Sequence, residues 1–232
     1  MTLLESSSTV TRHDGRADAA DRNRRAALAL VSGAAATIVS GVVVQAVVMP
    51  TSDVADDRWS YPWSGMALVP VSVLYVAFHV LVIVGLLGVR RREPTGPSRW
   101  GRLGTDGAII GTALLAVGEL ASILVRHAAT DDASAMTVGA VFGLGTVVSA
   151  IGFLLAGVAT ARAGRWQDWR RWPLLGTGAW LLVLTGLAAT KALPTGVALY
   201  GVGLLATGIA LYTSPTPATA RRTATATRPV AA

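Results

Sequence analysis

Glu119 is the one acid inside an apolar stretch of this chain, and His79 is the one imidazole at comparable depth in another. A charged carboxylate near the centre of a bilayer costs a few kcal/mol on insertion scales, so Glu119 is expected to face other helices, paired or protonated. Thr112, Leu115, Ser122 and Arg126 lie three, four or seven residues from it and share its helical face. Counted from the inner ends of their spans, His79 and Glu119 both fall within about two turns of the midplane. Consecutive spans are neighbours, and a His79–Glu119 hydrogen bond is compatible with this spacing. Ser72 and Tyr75 lie on the His79 face, and Pro70 removes a backbone donor and can kink that span. Gln45, with Thr37 and Gly41 on its face, completes a polar pocket, and Trp180, the only Trp within a span, is a candidate wall. A protonatable group in such a place can relay a proton, gate a small permeant molecule or act as general acid on a lipid-like substrate. The competing reading is a pair that fixes helix register and does nothing else.

Other chemistries find little support. Cysteine is absent, which excludes disulfides, iron–sulfur clusters and thiolate nucleophiles. Three histidines, His13, His79 and His127, stand at different depths, so they give no facing pair for a haem. Asp53, Asp56 and Asp57, and Asp131 and Asp132 after His127, read as solvated loop charges rather than an oxygen-ligand cation site. Serine-hydrolase, P-loop and dinucleotide motifs are missing. No cofactor and no metal are therefore expected. The formal charge of +7 sits in segments beside apolar runs, which argues against nucleic acid and for headgroups.

The elements that must position these residues are membrane spans. Hydrophobic residues make up 52% of the 232-residue chain and charged residues 14%, against about 25% in soluble domains. A hydrocarbon core about 30 Å thick takes roughly 20 apolar residues to cross as a helix. Six segments meet that description: Ala26 to Met49, Ser64 to Val89, Asp106 to Val125, Ser134 to Ala161, Pro173 to Thr190 and Pro194 to Thr213. The fifth is short and the third is interrupted by Glu119. All are expected as helices, since an open chain satisfies its backbone in lipid only that way. The fold class is thus all-α, an integral membrane bundle of six helices over 26–213. Residues 1–25 and 214–232 read as disordered cytoplasmic tails.

Arginines set the threading. Seventeen of the 20 basic residues fall in four alternate segments: the N-terminal tail, 90–102, 162–171 and the C-terminal tail. Arg58, Arg126 and Lys191 remain for the other side. The positive-inside rule then places both termini in the cytoplasm of a bacterial plasma membrane. Trp59, Tyr61 and Trp63 on one side, and Trp100, Trp166, Trp169 and Trp172 on the other, read as interfacial belts.

Small residues at helical spacing predict close packing. Span four carries Gly145, Ser149, Gly152 and Ala156 on one face, and Gly139 and Gly143 form a second pair. Span three carries Gly107, Gly111 and Gly118. The segment Asp56-Asp57-Arg58-Trp59-Ser60-Tyr61-Pro62-Trp63-Ser64, with His79 following in a helix, resembles a pattern in small multi-span actinobacterial membrane proteins. The resemblance covers mainly spans one to three. It implies a shared six-span bundle and carries no catalytic residue over.

Three functions fit this sequence. The first is a small transporter-like, channel-like or accessory bundle with a midplane polar pocket. The second is an intramembrane enzyme of terpene or prenyl cyclase type, with Glu119 as general acid. The third is a structural or regulatory partner of another membrane protein. The expected contacts are membrane lipid and a hydrophobic small molecule; the oligomeric state is open.

Overall fold

A computed structural model describes residues 4–214, with side chains from Ala19 onward. Six principal helices make up an all-α bundle. They are α1 (Leu4–Val43), α2 (Gly65–Arg92), α3 (Arg99–Leu124), α4 (Ala133–Ala163), α5 (Pro173–Leu187) and α6 (Leu193–Thr213). A π-helical turn, Val44–Val48, and a short 3-10 turn, Met49–Thr51, prolong α1. Among the described residues the sole β-type pairing is an isolated bridge between Arg58 and Ala129.

Five of the helices are long and apolar enough to cross a membrane, α1 counting from Ala19 to Thr51. The 15-residue α5 reaches only about 22 Å at 1.5 Å per residue. Trp169 and Trp172 stand half exposed at its start, where a 3-10 turn over Asp168–Arg171 leads into Pro173.

The boundaries differ from expectation in three places. The stretch 1–25, read as a disordered tail, is helical from Leu4 on. Its later part is rich in Ala and Arg, good helix formers that extend the span outward, and Asp21 accepts a 2.7 Å bond from Arg25 one turn on. Helix α3 begins at Arg99, well before Asp106, because Ser98 Oγ caps it by accepting from Gly101 N. Helix α5 stops at Leu187 rather than Thr190, where Thr190 N turns back to the Leu187 carbonyl. Helix α2 runs through Pro70 without a break. The tail expected over 214–232 lies outside the described residues, Ser214 apart.

Each helix packs on its neighbours in sequence, and α6 packs back on α1, so the six close into a ring. Side chains fill the interior, with Leu30, Leu86, Phe153, Leu174, Leu181, Leu204 and Leu211 all essentially inaccessible. The tightest pair is α3 with α4. A Cβ added to Gly152 would stand 2.7 Å from the Gly104 carbonyl oxygen, and one added to Gly111 would stand 2.7 Å from that of Gly145. The glycine and serine positions that the sequence marks as a packing face are therefore the ones in contact.

Loop contacts sort the ends. At one end Arg90 pairs with Asp106 at 2.6 Å, Arg165 donates to the Glu93 carbonyl, Arg170 donates to Thr213, and Arg24 lies over the Tyr212 ring. At the other end Trp59 N donates to the Ala128 carbonyl, Thr130 N donates to that of Asp57, and Lys191 pairs with Asp56 at 3.2 Å. The arginine-rich segments thus gather at one end of the bundle, called the basic end below. Trp166 departs from the interfacial reading: it is 5% exposed and belongs to the buried core.

Candidate functional site

Helix α3 exposes Leu103, Ile110, Val117 and Leu124, a seven-residue repeat that forms one lipid-facing stripe. Glu119 follows Val117 by two residues, about 200° around the helix, and so points away from lipid. Thr112 lies on the same inward face and is fully buried. Helix α2 follows the same logic. Val73, Leu74, Val80, Val84 and Leu87 are exposed, while Ser72, Tyr75, His79, Val82, Leu86 and Val89 form the inward row. That row changes character along its length. Its three polar members lie toward the end opposite the arginines, and its three apolar members lie toward them.

Within this frame Tyr75 is the junction. Ser40 Oγ on α1 donates to Tyr75 Oη at 2.8 Å, and the Tyr75 ring tilts against Phe78 at 5.8 Å. Glu119 lies within electrostatic reach of the same phenol. The tyrosine hydroxyl therefore ties α1 to α2. Among the described residues, Glu119 itself makes no hydrogen bond or ion pair with a side chain or the backbone.

His79 does not pair with Glu119. Its Nδ1 lies 2.7 Å from the Tyr75 carbonyl one turn earlier. A carbonyl only accepts, so Nδ1 carries a proton, and in the neutral ring Nε2 offers a lone pair. The histidine thus answers its own helix first and keeps one nitrogen for another partner.

The remaining expected residues fall into two groups. Ser72 is buried and its hydroxyl lacks a partner, so it belongs with Tyr75 and His79. Thr112 donates to the Ala108 carbonyl at 2.8 Å, and Ser122 donates to that of Gly118 at 2.9 Å, which satisfies each within its own helix. Gln45 and Trp180 are elsewhere. Gln45 sits in the π-helical turn and accepts from Thr195 Oγ1 at 3.1 Å, joining the ends of α1 and α6. Trp180 donates to the Gly196 carbonyl at 2.8 Å, joining α5 to α6. Neither lines a pocket with Glu119.

Two residues that the sequence reading passed over belong to the site. Ser40 reads as half of a Ser-Gly packing motif, yet its hydroxyl serves Tyr75. Tyr200 on α6 is 6% exposed, with its hydroxyl beside Thr112 but short of good hydrogen-bond geometry. Its signal was present: Tyr200, Leu204, Thr207 and Leu211 repeat at helical spacing on one face, too deep for an interfacial ring.

The candidate site is therefore drawn from polar residues on four helices, Ser40, Ser72, Tyr75, His79, Thr112, Glu119 and Tyr200, with Ser40 and Tyr75 in direct contact. Glu119 stands five residues from the end of α3, about 8 Å along the axis. The earlier start of α3 shifts the middle of that helix away from the acid. Below the cluster the interior is dry, built from Val82, Leu86, Val89, Leu30, Phe153 and Leu211. Above it, Arg58 Nη1 donates to the His127 carbonyl, Trp59 packs on Phe142, and Ser52 Oγ donates to the Pro62 carbonyl, so the segment 52–64 folds over that end. Two cavities, of about 520 and 380 Å³, open at the basic end instead. The described residues hold no cluster of three or more metal-type ligands.

No family model, curated protein or solved structure matches this chain.

Proposed function

We propose that this chain is a transporter-like or accessory protein of a bacterial plasma membrane, with its basic end in the cytoplasm and a protonatable polar site in the opposite half of the bundle. The observation that carries this reading is Glu119, which is turned away from lipid and makes no hydrogen bond or ion pair among the described residues, in an interior that also holds the unpartnered hydroxyls of Ser72 and Tyr200. Buried polar groups are costly unless they are satisfied. An inward carboxyl with unmet hydroxyls elsewhere in the same interior is suited to a small hydrogen-bonding guest, water included, that the carboxyl holds by gaining or losing a proton.

Infrared difference spectra of the protein in lipid, recorded across a pH titration, test the site. The expected result is a protonated-carboxyl band that rises as pH falls and is missing in Glu119→Gln, with the same yield of folded protein. An identical band in both variants would remove the proposal. Vesicles loaded with a pH-sensitive dye then separate the two roles. Transport predicts that the wild type collapses an imposed pH gradient faster than Glu119→Gln does, and an accessory role predicts no difference between them.

The enzyme reading gives Glu119 the same proton but needs an aromatic-walled chamber around it. Trp180, the expected wall, is committed to Gly196.

A further inference from the structure

The larger cavity lies where the amino end of α3 and the connection before it meet the last turns of α4. Its volume is about 520 Å³. Leu154, Leu155 and Val158 form an apolar wall along α4, while Ser98, Trp100 and Arg162 ring its polar rim. Val158 is also part of the outer surface of the bundle, as is Ile151 one turn or two deeper, so the wall runs on into the lipid-facing side. Trp100 is 54% exposed at the mouth, with the Arg99 guanidinium 5.2 Å from its ring centre.

The charges around the rim are lopsided. Glu93 is taken by Arg165 and Asp106 by Arg90. Arg162 is exposed and has no hydrogen bond or ion pair among the described residues. Arg99 and Arg102 flank the same rim, and Arg102 reaches only the Pro97 carbonyl, at 3.5 Å. A cavity with an aliphatic wall continuous with the bilayer and a cationic rim at the headgroup level matches one class of molecule in charge and polarity. Its acyl chain would lie along the leucines and its phosphate would meet Arg162.

We propose that this cavity binds an anionic glycerophospholipid, with the phosphate at Arg162 and one acyl chain against Leu154, Leu155 and Val158. The site is separate from the Glu119 cluster and does not depend on what that cluster does.

Native mass spectrometry of the full chain, released from detergent after exposure to equal amounts of phosphatidylglycerol and phosphatidylcholine, tests it. One phosphatidylglycerol should be retained in preference, and Arg162→Ala should cut that retention by about fivefold or more. Arg162→Lys should keep most of it, since charge is preserved although the planar fork is lost. Val158→Trp, which fills the chamber from its wall, should also abolish retention while circular dichroism and elution volume stay at wild-type values. Arg91→Ala, at the same end but away from the rim, should change little. Equal retention of the two lipids, or retention untouched by Arg162→Ala and Val158→Trp together, would overturn the proposal. So would displacement of the lipid by inorganic phosphate, which would make the cavity a free-anion site, or a dimer that forms as the lipid leaves, which would assign the wall to a second copy.

Discussion

Tyr75 is the residue on which the polar cluster turns, and its contacts give the site a measurable stiffness. Its hydroxyl receives Ser40 from α1, and its carbonyl receives the His79 ring. Hydrogen bonds between membrane helices average only about 0.6 kcal/mol, because the unfolded chain in lipid also finds partners. Tyr75→Phe should therefore cost about that much in thermal or denaturant unfolding, with a similar loss in Ser40→Ala and no further loss in the double variant. Additive losses would mean that the two hydroxyls act separately. The inward direction of Glu119 was legible from Leu103, Ile110, Val117 and Leu124, since a lipid stripe on one side fixes the other. The partner of His79 was not. An imidazole in an apolar helix has a carbonyl one turn back at constant distance, and that local acceptor needs no knowledge of neighbouring helices. Trp180 and Gln45 failed as pocket residues for a related reason. Each reaches the first turn of α6, and the depth of that turn depends on where α5 ends.

At the scale of the helices, the α3–α4 pair holds the site in place, because Glu119 and Thr112 occupy one face of α3 while glycines press an adjacent face against α4. An added Cβ at Gly152 meets backbone atoms of Gly104 and Gly107, which cannot swing aside as a side-chain tip can. Gly152→Ala should thus separate the helices and destabilise the protein by about 1–3 kcal/mol, in the range of overpacked cores. Gly143, on the same helix, has nothing within 4 Å of an added Cβ. Gly143→Ala should leave unfolding unchanged or slightly improved, since alanine is the better helix former. Melting temperatures of the two variants in one detergent decide the point, and equal shifts would show that small residues here are not packing residues. The sequence marked both glycine pairs as candidate interfaces with equal force. Spacing alone locates a face, and only the neighbour's position says whether that face is used. Helix starts were read well at Ser64 and at Pro173. They were read poorly at α3, where Arg99 and Arg102 looked like loop charges although they lie in the first turn of a helix beyond the hydrocarbon.

For the molecule as a whole, the contacts sort the loops into two ends without reference to charge, and that sorting agrees with the arginine count. The segments around Arg90 and Arg165 touch one another, as do those around Arg58 and Ala129. A ring of six helices with alternating direction therefore follows from packing, while which end faces the cytoplasm follows only from the positive-inside tendency. The absence of cysteine makes this directly testable, because a single introduced thiol has no background. Asp56→Cys, at the sparsely charged end, should react with a membrane-impermeant maleimide in intact cells. Arg91→Cys, at the basic end, should react only after the membrane is opened. The reverse pattern would invert the bundle and place Glu119 nearer the cytoplasm. Labelling of both positions in intact cells would signal two orientations. Adding arginines beside Asp56 should then raise the inverted fraction, since short-loop basic residues set the balance between them.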